Sequence, residues 1–320
     1  MKSKVKFPLV LSLALLCFMT GCDISFHDRW EVIIPVPLVR VEDGKLSAEN
    51  DLDFGKIIAT DGDHVLVSCF EDIHIYRYNS SGTKLIQTIK FERTSGIFSM
   101  VVYRSELIIG LADLSGTGTV YVYSRNGDVW ERSQEIRQGR SGDNFGCSID
   151  IDGETMVIGA NSLWSDCKTP VPCEGRVIVF QKREGVWEKT QEILADQSET
   201  GDEFGTCVGI YGDLMLAGSP MQPLHLYKFN GVWELLRTEE IHARAIAHSE
   251  NNFMISGDYE LRAFILEADG SFSENTINSL NIHDISWSGE IIEMRDSLAI
   301  VDMESADCYL LRYGNRQWNI

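Results

Sequence analysis

The sequence predicts an all-β protein built from a repeated unit. Residues 142–159 (GDNFGCSIDIDGETMVIG) and 201–218 (GDEFGTCVGIYGDLMLAG) align without a gap. Each places a Phe-Gly pair ahead of an apolar run that closes on a glycine, and fainter copies of this spacing end at residues 68, 110, 256 and 302. No window of comparable length has a helical period. Units of about 47 residues are typical of four-stranded propeller blades, so six of them predict a β-propeller of six blades, with seven as the alternative.

Three strand-like segments recur in the same order within the units. The first is a short apolar run after a turn, the second is an apolar or alternating run, and the third begins at a tryptophan. The first set comprises residues 65–67, 107–109, 156–158, 214–216, 253–255 and 298–300; the second comprises 73–76, 120–123, 176–180, 224–227, 262–265 and 309–311; the third comprises 130–136, 187–193 and 233–241. The segment that follows each Phe-Gly pair supplies the innermost strand.

The two ends of the chain predict how the ring closes. Trp30–Ile34 has the pattern of an outer strand but no unit precedes it, and the last unit stops at Gln317–Ile320. We expect the first strand to complete the sixth blade, because closure removes the exposed sheet edges at which a ring could open or aggregate. The propeller is therefore predicted over residues 30–320.

The first residues resemble a bacterial lipoprotein signal. Three lysines precede an apolar stretch over residues 7–19, which is followed by Met19-Thr20-Gly21-Cys22. The resemblance implies cleavage after residue 21, lipidation of Cys22 and a short tether over residues 22–29. It places the protein in the bacterial cell envelope, either at the periplasmic face of the inner membrane or at the outer membrane or cell surface. The alternative is an ordinary secretory signal with an incidental cysteine.

The motifs within the unit resemble the FG-GAP repeat of integrin α-subunits and many bacterial surface proteins. The GDxFG opening, the apolar run ending at Gly159-Ala160 or at residues 218–220, the VxVF-type strand at 177–180 and the Gly-Val-Trp turn occur in the order of that family. Two units match closely, two moderately, and residues 243–320 only faintly. The resemblance implies a closed β-propeller.

Integrin-type repeats often carry a DxDxDG calcium loop, and the resemblance makes calcium the one cofactor to consider. The nearest match offers the carboxylates of Asp150 and Asp152 before Gly153, but Ser148 stands where the motif has its first aspartate. The alternative is that these residues simply form a β-turn.

The cysteines suit an oxidising compartment. Cys167 and Cys173 bracket a short segment with two prolines inside the longest insertion, and we predict a disulfide between them, with a zinc pair as the alternative. Cys147 and Cys207 follow the Phe-Gly pairs of adjacent units, where they could act as small buried hydrophobes or pair across blades.

One face of the predicted ring collects candidate binding residues. In an antiparallel blade, the loop entering the first strand and the loop joining the second and third strands emerge on the same side. These loops carry Asp143, Asp202 and Glu203, and the insertion adds Trp164 and Asp166. A tryptophan within an acidic rim is typical of an anchor for a protein or glycan partner. The alternative is that Trp164 packs back on its own loop and the acids only keep the protein in solution.

Composition and motifs narrow the function further. The 28 Lys and Arg residues against 48 Asp and Glu residues give a formal net charge of −20, which excludes a basic nucleic-acid binder. The sequence has no HExxH, G-x-S-x-G or P-loop motif, although His242 and His248 lie six residues apart and would share one face of a strand. We therefore predict an exported, lipid-anchored, non-catalytic module for binding or assembly in the cell envelope. The alternative is a propeller hydrolase or lyase acting on polysaccharide.

Overall fold

A computed structural model describes residues 57–278 and 292–319, apart from short gaps of which the longest are 163–173 and 196–200. The described residues form 25 strands in six sheets, and each sheet is antiparallel except for one short parallel pairing in the last. None of the described segments is a helix long and apolar enough to cross a bilayer. The predicted all-β class and propeller arrangement are confirmed.

The first five sheets each contain four strands in chain order, so every strand pairs with the next one along the chain. They are β1 (Ile58–Asp61), β2 (His64–Ser68), β3 (Asp72–Asn79) and β4 (Gly82–Lys90); β5 (Thr94–Tyr103), β6 (Glu106–Asp113), β7 (Thr119–Asn126) and β8 (Val129–Ile136); β9 (Ile149–Asp152), β10 (Thr155–Ala160), β11 (Arg176–Arg183) and β12 (Val186–Leu194); β13 (Cys207–Tyr211), β14 (Leu214–Gly218), β15 (Leu224–Phe229) and β16 (Trp233–Glu239); and β17 (Ala243–Ser249), β18 (Asn252–Gly257), β19 (Glu260–Leu266) and β20 (Phe272–Asn275).

The sixth sheet has a different outer edge. It contains β21 (Ile277–Asn278), β22 (Ile292–Arg295), β23 (Leu298–Met303), β24 (Asp307–Gly314) and β25 (Gln317–Asn319). The C-terminal strand β25 is itself the fourth strand, and β21 pairs with it in parallel at the outer edge. The strand predicted at residues 30–34 to complete this sheet lies outside the described residues.

The hydrophobic core lies between the sheets. The second strands are buried along nearly their whole length because a neighbouring sheet covers each of their faces. One core cluster shows the pattern: Ile108 and Val122 of the second sheet pack with Met156, Phe180 and Trp187 of the third. This explains why these strands are continuous apolar runs and do not alternate with polar residues. A single sheet could not bury both faces alone.

The Phe-Gly pairs set the spacing between consecutive sheets. Phe145 is fully buried, and the carbonyl oxygen of Gly146 approaches Gly110 of the preceding sheet so closely that a Cβ there would overlap it. Gly205 approaches Gly159 in the same way. Only glycine therefore allows the loop of one sheet to reach the second strand of its neighbour.

A hydroxyl holds each of these close approaches in place. Ser99 Oγ donates to the Gly146 carbonyl at 2.7 Å, and Ser148 Oγ donates to the Gly205 carbonyl at 2.7 Å. In the next sheet the Cys207 thiol takes the serine position and lies 3.5 Å from the Ala243 carbonyl oxygen. The same inter-sheet contact thus persists where the Phe-Gly motif itself has been lost.

A second set of hydrogen bonds joins the outer strands of neighbouring sheets. The side-chain amide of Gln134 donates to the Trp187 carbonyl at 2.8 Å and accepts from the Trp187 N–H at 2.9 Å. Gln87 binds Trp130 and Gln191 binds Trp233 with the same two bonds. In each outer strand the register shifts immediately before the glutamine, and a bulge of this kind re-aims the following side chain. The amide then faces the backbone of the next sheet.

We predict that Gly159→Ala lowers the free energy of unfolding by about 3 kcal/mol or more, because the new methyl group overlaps a backbone oxygen that cannot move without separating two sheets. Urea denaturation measures the effect. Gly153→Ala is the control: its Cβ meets open space, so it costs only the about 1–2 kcal/mol of a left-handed backbone. Equal losses in the two variants would contradict the role assigned to Gly159.

We predict that Gln134→Leu lowers the free energy of unfolding by about 1–3 kcal/mol, because the Trp187 N–H and carbonyl lose their partners while the side-chain volume is kept. The same substitution at the exposed Gln138 is the control and should stay within about 0.5 kcal/mol of the wild type. A Gln134→Leu variant as stable as the control would show that the two hydrogen bonds to Trp187 contribute nothing to the free energy of unfolding.

Candidate functional site

The antiparallel order of the strands gives the ring two different faces. The Phe-Gly loops and the loops between second and third strands lie at one end of the sheets, here called the loop face. The turns between first and second strands and between third and fourth strands lie at the other end, here called the turn face. Contacts between neighbouring sheets at both ends keep these faces aligned around the described part of the ring.

Asp143, a predicted binding residue of the loop face, is buried with only 3% of its surface exposed. Its carboxylate accepts hydrogen bonds from the guanidinium of Arg176 and from the Arg140 N–H at 2.6 Å. Arg176 is itself buried and also donates to the Gln138 carbonyl at 2.7 Å and pairs with Glu192 at 3.1 Å. Asp143 therefore anchors its own loop.

Asp202 occupies the equivalent position in the fourth sheet and is also 3% exposed. Its Oδ1 accepts from the N–H groups of Gly175 and Phe204, at 2.9 and 3.1 Å. Pro223 stands where the third sheet has Arg176, and within the described part of the chain Oδ2 of Asp202 has no hydrogen-bond partner. The expectation that Asp143 and Asp202 form an exposed acidic rim is therefore corrected: both carboxylates face inward because they satisfy backbone donors of the Phe-Gly loops.

Among the described carboxylates predicted for this face, Glu203 is the one that the structure leaves half-exposed. It sits at a positive φ of 54°. Burial raises the pKa of Glu203, Arg244 opposes this, and the neighbouring Asp202 raises it further. Arg244 is exposed at the start of β17, where a bulge turns it outward. The charge of Arg244 therefore acts on the Glu203 carboxylate at the loop face.

Five other predicted site residues lie outside the described residues. They are Trp164, Asp166, Cys167, Cys173 and Cys22. The predicted binding tryptophan, disulfide and lipidation site therefore stay predictions.

The two candidate calcium ligands serve a different purpose. Asp150 Oδ2 accepts from the Ile210 N–H at 2.7 Å, and Asp152 Oδ2 accepts from the Gly212 N–H at 2.7 Å. The first bond links β9 to β13, and the second links β9 to the turn that follows β13. The described residues contain no group of three His, Cys, Asp or Glu side chains placed to hold a metal. The arrangement does not fit a calcium loop, because the carboxylates fasten neighbouring sheets.

His248 makes a contact that the sequence did not predict. Its Nε2 lies 2.8 Å from Asp150 Oδ2, so the pair joins the third and fifth sheets across the inner strand of the fourth. The intervening strand carries Gly209, where a Cβ would lie 3.9 Å from Asp150 Oδ2. His248 Nδ1 faces the Glu250 carbonyl at 3.2 Å. Because both ring nitrogens face acceptors, these contacts favour the imidazolium form of the ring over the neutral form.

The expectation that His242 and His248 share one face of a strand is wrong. The register of β17 shifts between Ala243 and Ala245, so the period of two is interrupted between the two histidines. His242 Nδ1 instead lies 3.1 Å from the Pro220 carbonyl.

The described cysteines do not form a disulfide across the blades. Cys69 and Cys207 are buried, Cys147 is partly covered, and no disulfide joins these three cysteines. Burial raises the pKa of the Cys147 thiol to about 12 and raises that of Cys207 as well. Both are therefore protonated at neutral pH and serve as small apolar groups, one of the two predicted alternatives.

We predict that raising the pH from about 6.5 destabilises the wild type more steeply than His248→Gln. Burial lowers the pKa of His248, but the charge and hydrogen bond of Asp150, the Glu250 carbonyl and the charge of Asp152 outweigh it, so the pKa lies above its usual value. The stabilisation is complete below the unfolded pKa of about 6.5 and is lost as pH rises through the folded pKa. Melting temperatures across this range measure it, with His242→Gln as control; parallel profiles for wild type and His248→Gln would contradict it.

Comparison with known proteins agrees with this geometry. The family model described as FG-GAP repeat matches residues 137–170 and 187–223, which include the Phe-Gly loops of the third and fourth sheets. A protein from Lactobacillus plantarum is similar in structure, with a TM-score of 0.59 at 12% identity over 81% of this chain and 80% of that one. A chain of the mitotic checkpoint complex has a TM-score of 0.58 at 12% identity, covering 81% and 74%.

A putative 6-phosphogluconolactonase from Bacteroides fragilis has a TM-score of 0.52 at 11% identity, covering 68% of this chain and 67% of that chain. At such low identity these likenesses concern the fold alone. The chain therefore carries FG-GAP repeats within a β-propeller.

Proposed function

We propose that this protein is an exported, lipid-anchored propeller that binds protein partners in the bacterial cell envelope without catalysing a reaction. The lipobox-like segment at residues 19–22 supports the anchor. Acyl chains are needed because an acidic body cannot hold anionic lipid by charge, and stable anchoring takes more than one chain. The FG-GAP repeats are compatible with a binding module.

The observation that supports a protein partner is the chemical type of the exposed apolar side chains. Eight of the ten large ones in the described residues are aliphatic or methionine, and only Tyr211 and Phe229 are aromatic. Glycan sites rely on aromatic rings that stack on sugars, whereas aliphatic side chains among charged groups suit a protein surface. This favours a polypeptide over a glycan as the partner.

The anchor has a direct test. We expect Cys22→Ser to move the protein from the membrane fraction to the soluble fraction and to abolish incorporation of labelled palmitate, because the acceptor thiol is gone. Cys69→Ser, which alters a buried thiol, should leave both readouts unchanged. A membrane-bound Cys22→Ser variant without acyl chains would contradict lipid anchoring.

The binding role is tested by crosslinking in native membranes followed by mass spectrometry. We expect adducts that protease removes and glycosidase does not. Adducts that only glycosidase removes would replace the polypeptide partner by a glycan, and the absence of any adduct would contradict the proposed function.

A further inference from the structure

We propose that the turn face of the second, third and fourth sheets is the docking site, and that its partner is a polypeptide segment combining aliphatic side chains with lysine or arginine. The inference rests on the proposed binding function and adds where the partner docks and what chemistry it presents.

Three valines mark this face at equivalent positions. Val129, Val186 and Val232 are 50, 48 and 52% exposed, and each lies in or directly after the turn that joins the third and fourth strands of its sheet. Tyr211 and Phe229, also exposed, lie at strand ends on the same face. Five of the ten large exposed apolar side chains are thus gathered at one end of three consecutive sheets.

The valines are held in position by the residues that follow them. Each precedes a buried tryptophan, Trp130, Trp187 or Trp233, whose backbone is clasped by a glutamine of the preceding sheet. The turns themselves are joined between sheets: the Gly153 N–H donates to the Tyr103 hydroxyl at 2.9 Å. A partner would therefore meet apolar tips that lose little conformational freedom on binding.

Each valine is accompanied by an exposed glutamate two residues later. Val129 precedes Glu131, and Val232 precedes Glu234, with the buried tryptophan between them. Since side chains alternate along a strand, the valine and the glutamate project to the same side, opposite the tryptophan. The face repeats one aliphatic and one acidic group per sheet.

The charge of the face is negative because its cations are already paired. Arg77 binds Asp63 and Asp128 at 2.7 and 2.8 Å, and Arg125 binds Asp61 at 2.6 Å. The other described cations at the turn ends of the second, third and fourth sheets form ion pairs as well: Arg104 with Glu154, Lys182 with Glu106, Arg183 with Glu188, and Lys228 with Asp213.

Three exposed acids of this face have no ion pair within the described part of the chain, namely Glu131, Glu184 and Glu234. Charge complementarity therefore selects a basic partner and disfavours anionic lipid or anionic glycan. Together with the valines, these acids define a surface for an aliphatic and basic polypeptide.

The test measures binding of synthetic peptides by fluorescence anisotropy. The probes are a short Leu/Lys peptide, its Leu/Glu counterpart and its Ser/Lys counterpart. The turn-face variant is V129S/V186S/V232S, and the matched control is L85S/L194S/M221S, which alters equally exposed side chains away from this face. A charge variant, E131K/E184K/E234K, keeps the valines. It tests the same docking site if the serine variant does not fold.

We expect the wild type to bind the Leu/Lys peptide about tenfold or more tightly than the other two peptides. The turn-face and charge variants should each lose about tenfold or more, and the control should lose nothing. Equal binding of all peptides, or equal losses in the turn-face and control variants, would overturn the assignment.

A photo-crosslinker at Val186 or at Leu194 separates this inference from the proposed function. Polypeptide adducts in native membranes are expected from Val186. If they form only from Leu194, the binding function stands and the docking site is wrong; if no position yields a polypeptide adduct, the function itself fails.

Discussion

The close approach of a Phe-Gly carbonyl to a glycine of the preceding sheet is the constraint on which the rest of the ring depends. Gly146 meets Gly110, and Gly205 meets Gly159, at distances that exclude any side chain. The serine hydroxyl that binds each carbonyl converts this proximity into a directed hydrogen bond. Because each sheet buries its faces only against its neighbours, the spacing at these points sets the packing of the whole core.

This way of joining sheets explains where the polar side chains go. Asp143 and Asp202 satisfy loop backbones, Asp150 and Asp152 bind N–H groups of the next inner strand, and glutamine amides clasp the outer strands. Groups that would suggest a metal site or a binding rim in isolation are instead structural. The partner surface that we propose consists of the exposed apolar side chains of the turn face and of its acids that form no ion pair with other described residues.

The repeat changes character after the third sheet. The buried Arg176 gives way to Pro223. The pair formed by Cys207 and Ala243 takes the place of the serine–glycine pairs of the earlier sheets. At the glutamine position of the outer strand the fourth sheet has Arg237, whose guanidinium lies 5.2 Å from the Phe272 ring centre. The Cys207–Ala243 and Arg237–Phe272 pairs keep a contact between sheets with different chemistry, which explains why the motif fades along the sequence while the architecture continues.

The sequence by itself determined the strand content, the repeated unit and the position of the Phe-Gly loops, because these follow from local periodicity and turn chemistry. The recurring spacing from tryptophan to glutamine could also have indicated the outer clasp. Only the tertiary structure decided that Asp143 and Asp202 are buried and that His248 reaches Asp150, 98 residues away. The sequence does not distinguish a carboxylate that contacts water from one that accepts a hydrogen bond from a backbone N–H, because the packing of the neighbouring sheet determines the partner.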